Sequence, residues 1–322
     1  MDNTTVTPNT LQQAVRYFSD PDDALQFLAS LRWPEGVTCP HCEAKEPSFL
    51  KTRRIWKCRK CRKQFSVKVG TIFEDSAIGL DKWLPALWLI ANAKNGISSY
   101  ELHRALCVTQ KTAWFMLHRI RLAMQTRTFK KMRGKIEADE TFIGGKAKFM
   151  HKSVKARRIT GPGPSDKTAV MGLLQRKGKK GHSTVMASVM AGTTRHDLQP
   201  VVRENVALGS DLFTDAQRAY LGLGGEYRHE IIDHAVEYVR GEVHTNCLEN
   251  FWSCLKRTIK GTYISVDPYH VFRYLDEQVF RFNNRKVCDA ERFVFVVRDV
   301  IGKRLTYANL IGANLTPIGA TP

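Results

Sequence analysis

Long apolar runs are missing from this chain. The longest, Trp83 to Ala93 between Lys82 and Lys94, is far shorter than the roughly 20 residues a membrane-crossing helix needs. The amino end, Met1-Asp2-Asn3-Thr4-Thr5, lacks the basic start and apolar core of a signal peptide. These two absences predict no membrane partner and no export. Internal repeats and low-complexity tracts are also missing, and 43% hydrophobic residues are enough to build a buried core, which excludes wholesale disorder.

Acids are scarce over long stretches. None occurs from Lys51 to Lys68 or from Leu102 to Ile136, and each stretch carries nine lysines and arginines. Between Lys146 and Lys180, eleven basic residues face the single acid Asp166. Over the whole chain, 50 Lys and Arg against 31 Asp and Glu give a net charge of +19. Such an excess calls for a polyanionic partner, with nucleic acid first among the candidates.

Cysteines are few, and four of the eight fall in two tight pairs, Cys39-Pro-His-Cys42 and Cys58-Arg-Lys-Cys61. Two residues between cysteines let a turn aim both sulfurs at one ion, and two such turns complete a tetrahedron. This spacing predicts one structural Zn²⁺ in a ribbon over 36–72, following a helical lead-in over 1–35. His41 is a competing ligand, but four cysteines already fill the shell. Arg53, Arg54, Lys57, Arg59 and Lys60 around the second pair, interleaved with Ile55, Trp56 and Phe65, are candidate phosphate contacts.

Residues 80–130 read as a helical module. An apolar helix over 81–94 ends at Asn95-Gly96, and Pro85 fits it only near the first turn. Ser98 and Glu101 form a capping-box pattern for a second, short helix. Thr109 caps a third helix, Gln110 to Met124. A short helix, a turn and a longer basic helix fit helix-turn-helix geometry, which makes Lys111, Arg119 and Arg121 candidate DNA contacts. A plain three-helix bundle is the alternative.

From 134 onward the pattern turns to short β-branched runs at Lys135–Ala138, Thr168–Leu174, Thr184–Met190, Asp211–Thr214 and Glu230–Asp233. Asp139 follows the first run, and Asp215 ends the fourth and precedes an expected helix. Glu249 borders the apolar stripe of a helix from Asn246 to Lys260, with Lys256 two turns further at the same azimuth. Three converging carboxylates suit two Mg²⁺ ions that activate an attacking oxygen and stabilise a leaving one at a phosphodiester; Lys256 then holds a phosphate. Taken singly, each acid reads as a surface charge or a cap. Glu137 and Glu140, beside Asp139, read as surface charges by strand alternation. Trp252, Cys247 and Cys254 read as packing. The basic, aperiodic stretch 146–166 reads as a mobile loop.

The segments EADETFIGGK (137–146), LFTDAQRAY (212–220) and HTNCLENFWSCLKRTIKGTY (244–263), with LRWPEGVTCPHC before them and RYLDEQVFRFNNRK and RLTY after, resemble the IS1595-type, or ISXO2-like, insertion-sequence transposases over roughly 16–311. The resemblance implies a mixed α/β chain whose RNase H-like catalytic core spans 134–265, completed by C-terminal helices over 266–311 and followed by a tail over 312–322. It implies DDE-type cleavage and strand transfer at transposon inverted-repeat ends, with Asp139 and Asp215 as catalytic residues, two Mg²⁺ (Mn²⁺ as substitute), double-stranded DNA as partner, a homodimer or higher assembly, and a prokaryotic cytoplasmic, nucleoid-associated location. The third catalytic position is Glu249 or Asn246; Glu249 has the carboxylate, with Lys256 seven residues on. His244 contacts substrate, tunes a metal or makes a local hydrogen bond. Arg281, Asn283, Asn284 and Arg285 contact DNA or end a helix. A catalytically dead DNA-binding regulator and a nuclease without strand transfer are the rival functions.

Overall fold

A computed structural model describes residues 7–125, 130–145, 151–159, 167–177, 181–215, 218–232 and 244–313. The chain divides into two compact units, Met1–Met124 with Val287–Pro322, and Gln125–Lys286.

The first unit begins with helices α1 (Leu11–Phe18) and α2 (Pro21–Arg32), the latter capped by Asp20, which accepts from the Asp22 and Asp23 N–H groups. A three-stranded antiparallel sheet follows, β1 (Ser48–Leu50), β2 (Ile55–Lys57) and β3 (Gln64–Phe65). Its small core is aromatic: Trp56 opposes Phe65 in register, their rings stacked 6.0 Å apart, and Trp33 meets Trp56 edge-on at 5.4 Å. Helix α3 (Leu80–Asn92) is buried on most of its surface, with Pro85 in its second turn rather than its first. Helices α4 (Ser99–Leu106) and α5 (Gln110–Ala123) start where their caps predict. Ser98 and Glu101 make both capping-box bonds, and Thr109 accepts from the Thr112 N–H.

In the second unit a five-stranded sheet runs in the order β6-β5-β4-β7-β8. Its members are β4 (Lys135–Ile143), β5 (Thr168–Gln175), β6 (Thr184–Met190), β7 (Asp211–Asp215) and β8 (Arg228–Ile232). The first three pair antiparallel, and β4, β7 and β8 pair parallel. Helix α6 (Lys152–Arg158) precedes β5, so the described part of the expected loop is helical; residues 146–150 and 160–166 of that loop lie outside the described residues. Helix α7 (Arg195–Asn205) contributes Leu198 and Val202 to a cluster with Ile136, Ala138 and Leu212 on one sheet face. On the other face, α8 (Asn246–Thr258) and α9 (Val271–Asn283) pack Leu248, Phe251, Leu255 and Leu275 against Val170 and Leu174. Both faces being covered, the uncharged residues of the central strand are apolar except Thr141.

Three boundaries differ from expectation. Strand β4 continues through Asp139 to Ile143, so this aspartate lies within the strand rather than after it. The helix expected after Asp215 is a single 3-10 turn at Arg218–Tyr220, and residues 216–217 lie outside the described residues. Helix α10 (Asp289–Arg298) and helix α11 (Tyr307–Leu310) do not complete the sheet domain. They belong to the first unit, where Phe293 of α10 packs against Phe18, Phe27 and Trp88. Burying four aromatic rings in one cluster is a large favourable apolar contribution that holds α10 there.

Candidate active site and metal centre

The four cysteines of the ribbon meet. Their sulfurs all lie within 4.8 Å of one another, with Cys39 Sγ 3.7 Å from Cys61 Sγ and Cys42 Sγ 3.5 Å from Cys58 Sγ. A Zn–S bond of about 2.3 Å places tetrahedral sulfurs about 3.8 Å apart, so the donor set fits a structural zinc. The Cys61 N–H donates to Cys58 Sγ and pulls that thiol down to about 6, toward the thiolate a metal requires. Of the basic candidates, Arg53, Lys57, Arg59 and Lys60 are exposed. Arg54 is exposed too, but its guanidinium grips Asp22 with two bonds, 2.6 and 3.1 Å.

In the helical module Lys111 is exposed, whereas Arg119 and Arg121 are not on a DNA-facing surface: both are buried, 5% and 1% exposed. Arg119 donates to the carbonyl oxygens of Ile72, Glu74 and Leu305, tying three chain segments together. A charge spacing cannot distinguish such a tie from a phosphate contact, because the carbonyls come from distant sequence.

The second unit assembles the carboxylates. Period two along β4 puts Glu137 and Asp139 on the face covered by α8, and Ala138 and Glu140 on the other. Parallel pairing of Ala138 with Thr214 brings Asp215, the last residue of β7, beside Asp139. Asp139 pairs with Gly172 on its other side, where a Cβ would lie 2.6 Å from a Trp252 ring carbon and 2.9 Å from Leu248 Cδ1. The absent side chain lets α8 lie close on the sheet. Trp252 then donates its indole N–H to Asp139 Oδ2 at 3.0 Å, so this ring is both core and aspartate anchor. The Glu140 N–H donates to Asp139 Oδ1 at 2.9 Å. One turn before Trp252, Glu249 accepts from the Thr245 hydroxyl at 3.2 Å. Thr245 is the residue preceding the helix and Asn246 its first residue.

Burial pushes the Asp139 carboxyl up to about 6, and the neighbouring Asp215 and Glu249 charges push in the same direction. Glu140 rises to about 7 through burial and the Asp215 and Asp139 charges, although the Tyr220 hydroxyl donates to it at 2.7 Å. Asp139, Glu140 and Glu249 line an open cleft of about 680 Å³ together with Lys256, Arg257 and Lys260. Burial lowers the Lys256 ammonium pKa, and Asp139 opposes that shift. The acids are near enough to couple, but among the described residues only the cysteines gather three or more ligand atoms within 4.8 Å.

The sequence reading misassigned Glu137. This residue is fully buried, and its carboxylate takes the Arg176 Nε–H at 2.6 Å and the Leu248 N–H at 2.9 Å. Glu140 is half-buried against Tyr220 rather than a surface charge. The signal for Glu137 was available: two residues from Asp139 means the same face, not the opposite one. For His244, the local hydrogen bond is observed, its Nδ1 accepting from Arg176 at 2.9 Å. In the tail motif, Arg281 is buried against Glu277, and Asn283 pairs with both backbone groups of Val185 on the edge strand β6. These residues close a helix and a sheet edge. No helix among the described residues is long and apolar enough to cross a membrane.

Comparison with known proteins agrees with this layout. Residues 131–283 match the family described as ISXO2-like transposase domain, and residues 19–64 match the transposase zinc-ribbon domain. A protein of transposable element ISH50 from Halobacterium salinarum is 28% identical over 285 residues, covering 83% of this chain and 94% of that protein. A transposase-like protein from Haemophilus influenzae is 30% identical over 109 residues, 34% of this chain and 85% of that protein.

Proposed function

The chain belongs to the ISXO2-like, IS1595-type transposases, and on that footing we propose that it cuts and joins DNA at the inverted-repeat ends of an insertion sequence, using Asp139, Asp215 and Glu249 as a DDE triad. One observation carries the reading: an aspartate in the central strand is electrostatically coupled both to an aspartate ending the adjacent parallel strand and to a glutamate on the covering helix, and lines a cleft with that glutamate. The strand order, with three antiparallel strands followed by two parallel ones, supports an RNase H-like core.

Hard oxygen donors crowded by like charge fit divalent cations. When bound, two Mg²⁺ (or Mn²⁺) would supply activation of the attacking oxygen and stabilisation of the leaving one. The chain's own groups do the rest. Trp252 and the Glu140 N–H fix the Asp139 carboxylate, and the Thr245 hydroxyl orients Glu249. Lys256, Arg257 and Lys260 neutralise the phosphates entering the cleft. Asn246, in the same first turn as Glu249, is the alternative third ligand. The zinc ribbon, through Arg53, Lys57, Arg59 and Lys60, and the helical module, through Lys111, bind double-stranded DNA outside the cleft. Pairing two ends requires a dimer or larger assembly on DNA.

The test is incubation of the protein with end-containing duplex and Mg²⁺, beside an Asp215→Ala control. Wild type yields nicked ends and strand-transfer products, and the variant loses both. Equal product from the two proteins would overturn the triad, and nicks without joined products would point to a hydrolytic nuclease.

A further inference from the structure

Glu137 is the one fully buried carboxylate on the strand that carries Asp139, and it is two residues away on the same face. Its oxygens face Arg176 and the Leu248 N–H, and the Cys247 thiol also donates to the carboxylate. Oε2 accepts the Leu248 N–H in the first turn of α8 at 2.9 Å, sharing it with the Thr245 carbonyl oxygen at 3.0 Å. Oε1 accepts from Arg176 at the end of β5. The same guanidinium donates to the His244 carbonyl oxygen at 2.6 Å and to His244 Nδ1 at 2.9 Å, so the ring takes the tautomer with Nδ1 unprotonated. Strand and helix are therefore joined twice. The carboxylate holds the residue before Glu249, and the guanidinium holds the residue two before the helix start.

We propose that Glu137, with Arg176, is a positioning residue that fixes the first turn of α8 on β4 and so sets Glu249 relative to Asp139. The proposal rests on the triad reading and extends it to groups that touch neither DNA nor the reacting atoms. An anionic oxygen at the start of a helix complements the helix dipole, and the Glu137 carboxylate is fully shielded from water. Two residues along a strand is about 7 Å, so the clamp and the Trp252–Asp139 bond act as two adjacent attachment points. One attachment would leave the helix free to pivot about Trp252; two define its angle. In the π-helical turn Ile259–Tyr263 that continues α8, the Tyr263 hydroxyl donates to the buried Glu277, a separate anchor that does not involve β4.

The experiment measures Mn²⁺ binding to the full chain by electron paramagnetic resonance, alongside cleavage of end DNA. Glu137→Gln keeps an acceptor for Leu248 but loses the ion pair. Its Mn²⁺ affinity and its cleavage rate should each fall by ~10–100-fold, with end-DNA binding in the absence of added Mg²⁺ or Mn²⁺ unchanged. If the single variant fails to fold, Glu137→Gln with Arg176→Met removes the stranded cation and should fold with the same loss. Tyr263→Phe, which releases the other end of the helix, should retain wild-type Mn²⁺ affinity. Normal Mn²⁺ affinity in the Glu137 variants, or an equal loss in Tyr263→Phe, overturns the clamp. Metal binding that responds to Glu137 in a protein that never cuts DNA would keep the clamp and sink the cleavage reading.

Discussion

At the scale of the residue, Asp139 makes the site costly to fold. Its pKa rises from 3.8 to about 6 because burial and the nearby acids disfavour its charge. Between those two values the native state holds a proton that the unfolded chain has released, so stability falls as pH rises through that window. Asp139→Asn removes the titration while keeping an acceptor for the Trp252 N–H. It should therefore stabilise the metal-free protein at pH 8 by about 1–3 kcal/mol and change little below pH 4. Urea unfolding at both pH values checks this; an equal effect at both would refute the assignment. Asp139, Asp215 and Glu249 were legible as residues because each borders a recognisable element. Glu137 and Arg119 were not. What distinguishes them is burial against partners 39 to 186 positions away, which no local pattern encodes.

At the scale of the element, α8 depends on a residue with no side chain. Gly172 leaves the space that Trp252 and Leu248 fill, so Gly172→Ala should push the helix outward and destabilise by about 1–3 kcal/mol. A wild-type urea midpoint in that variant would show that the helix adapts freely. The ribbon presents the opposite case. Its strands have three, three and two residues, too little pairing to hold without metal. Cys58→Ser or a strong chelator should unfold 36–72 and weaken DNA binding while the five-stranded sheet stays protected. Hydrogen exchange resolves the two regions, and retained protection over the ribbon after verified metal loss would count against the zinc's structural role. Both elements were visible in the sequence to different degrees. The CxxC pairs and the capping boxes are local hydrogen-bond and chelation signals. The length of β4 was not visible, because its acids read as a strand end until neighbours on both sides extend the pairing.

At the scale of the whole molecule, the proposed DNA binding draws on the net charge of +19, but not every cation contributes to it. Arg53, Lys57, Arg59, Lys60 and Lys111 are exposed. If these five and the exposed Lys256, Arg257 and Lys260 of the cleft all meet phosphates, the logarithm of the binding constant should fall with log salt at a slope of about −7. Replacing Arg59 and Lys60 with alanine should flatten that slope by about 2. Arg119→Ala should leave the slope alone and lower the melting temperature instead, since its partners are carbonyl oxygens of the same unit. Filter binding over a salt series with a thermal scan separates the two outcomes, and a flattened slope for Arg119→Ala would place that residue at the DNA after all.

The linear sequence determined whatever local chemistry can decide: the cysteine spacing, the helix starts at Ser98 and Thr109, the strand runs, and the identity of the acids and bases available. Only the tertiary structure decided which of those charges go inside. Glu137 and Arg119 are buried because their partners come from other segments, and desolvating a charge is tolerated only where such partners are already held in place. The same nonlocal accounting sends α10 to the first unit and α9 to the second, although the two are neighbours in the chain.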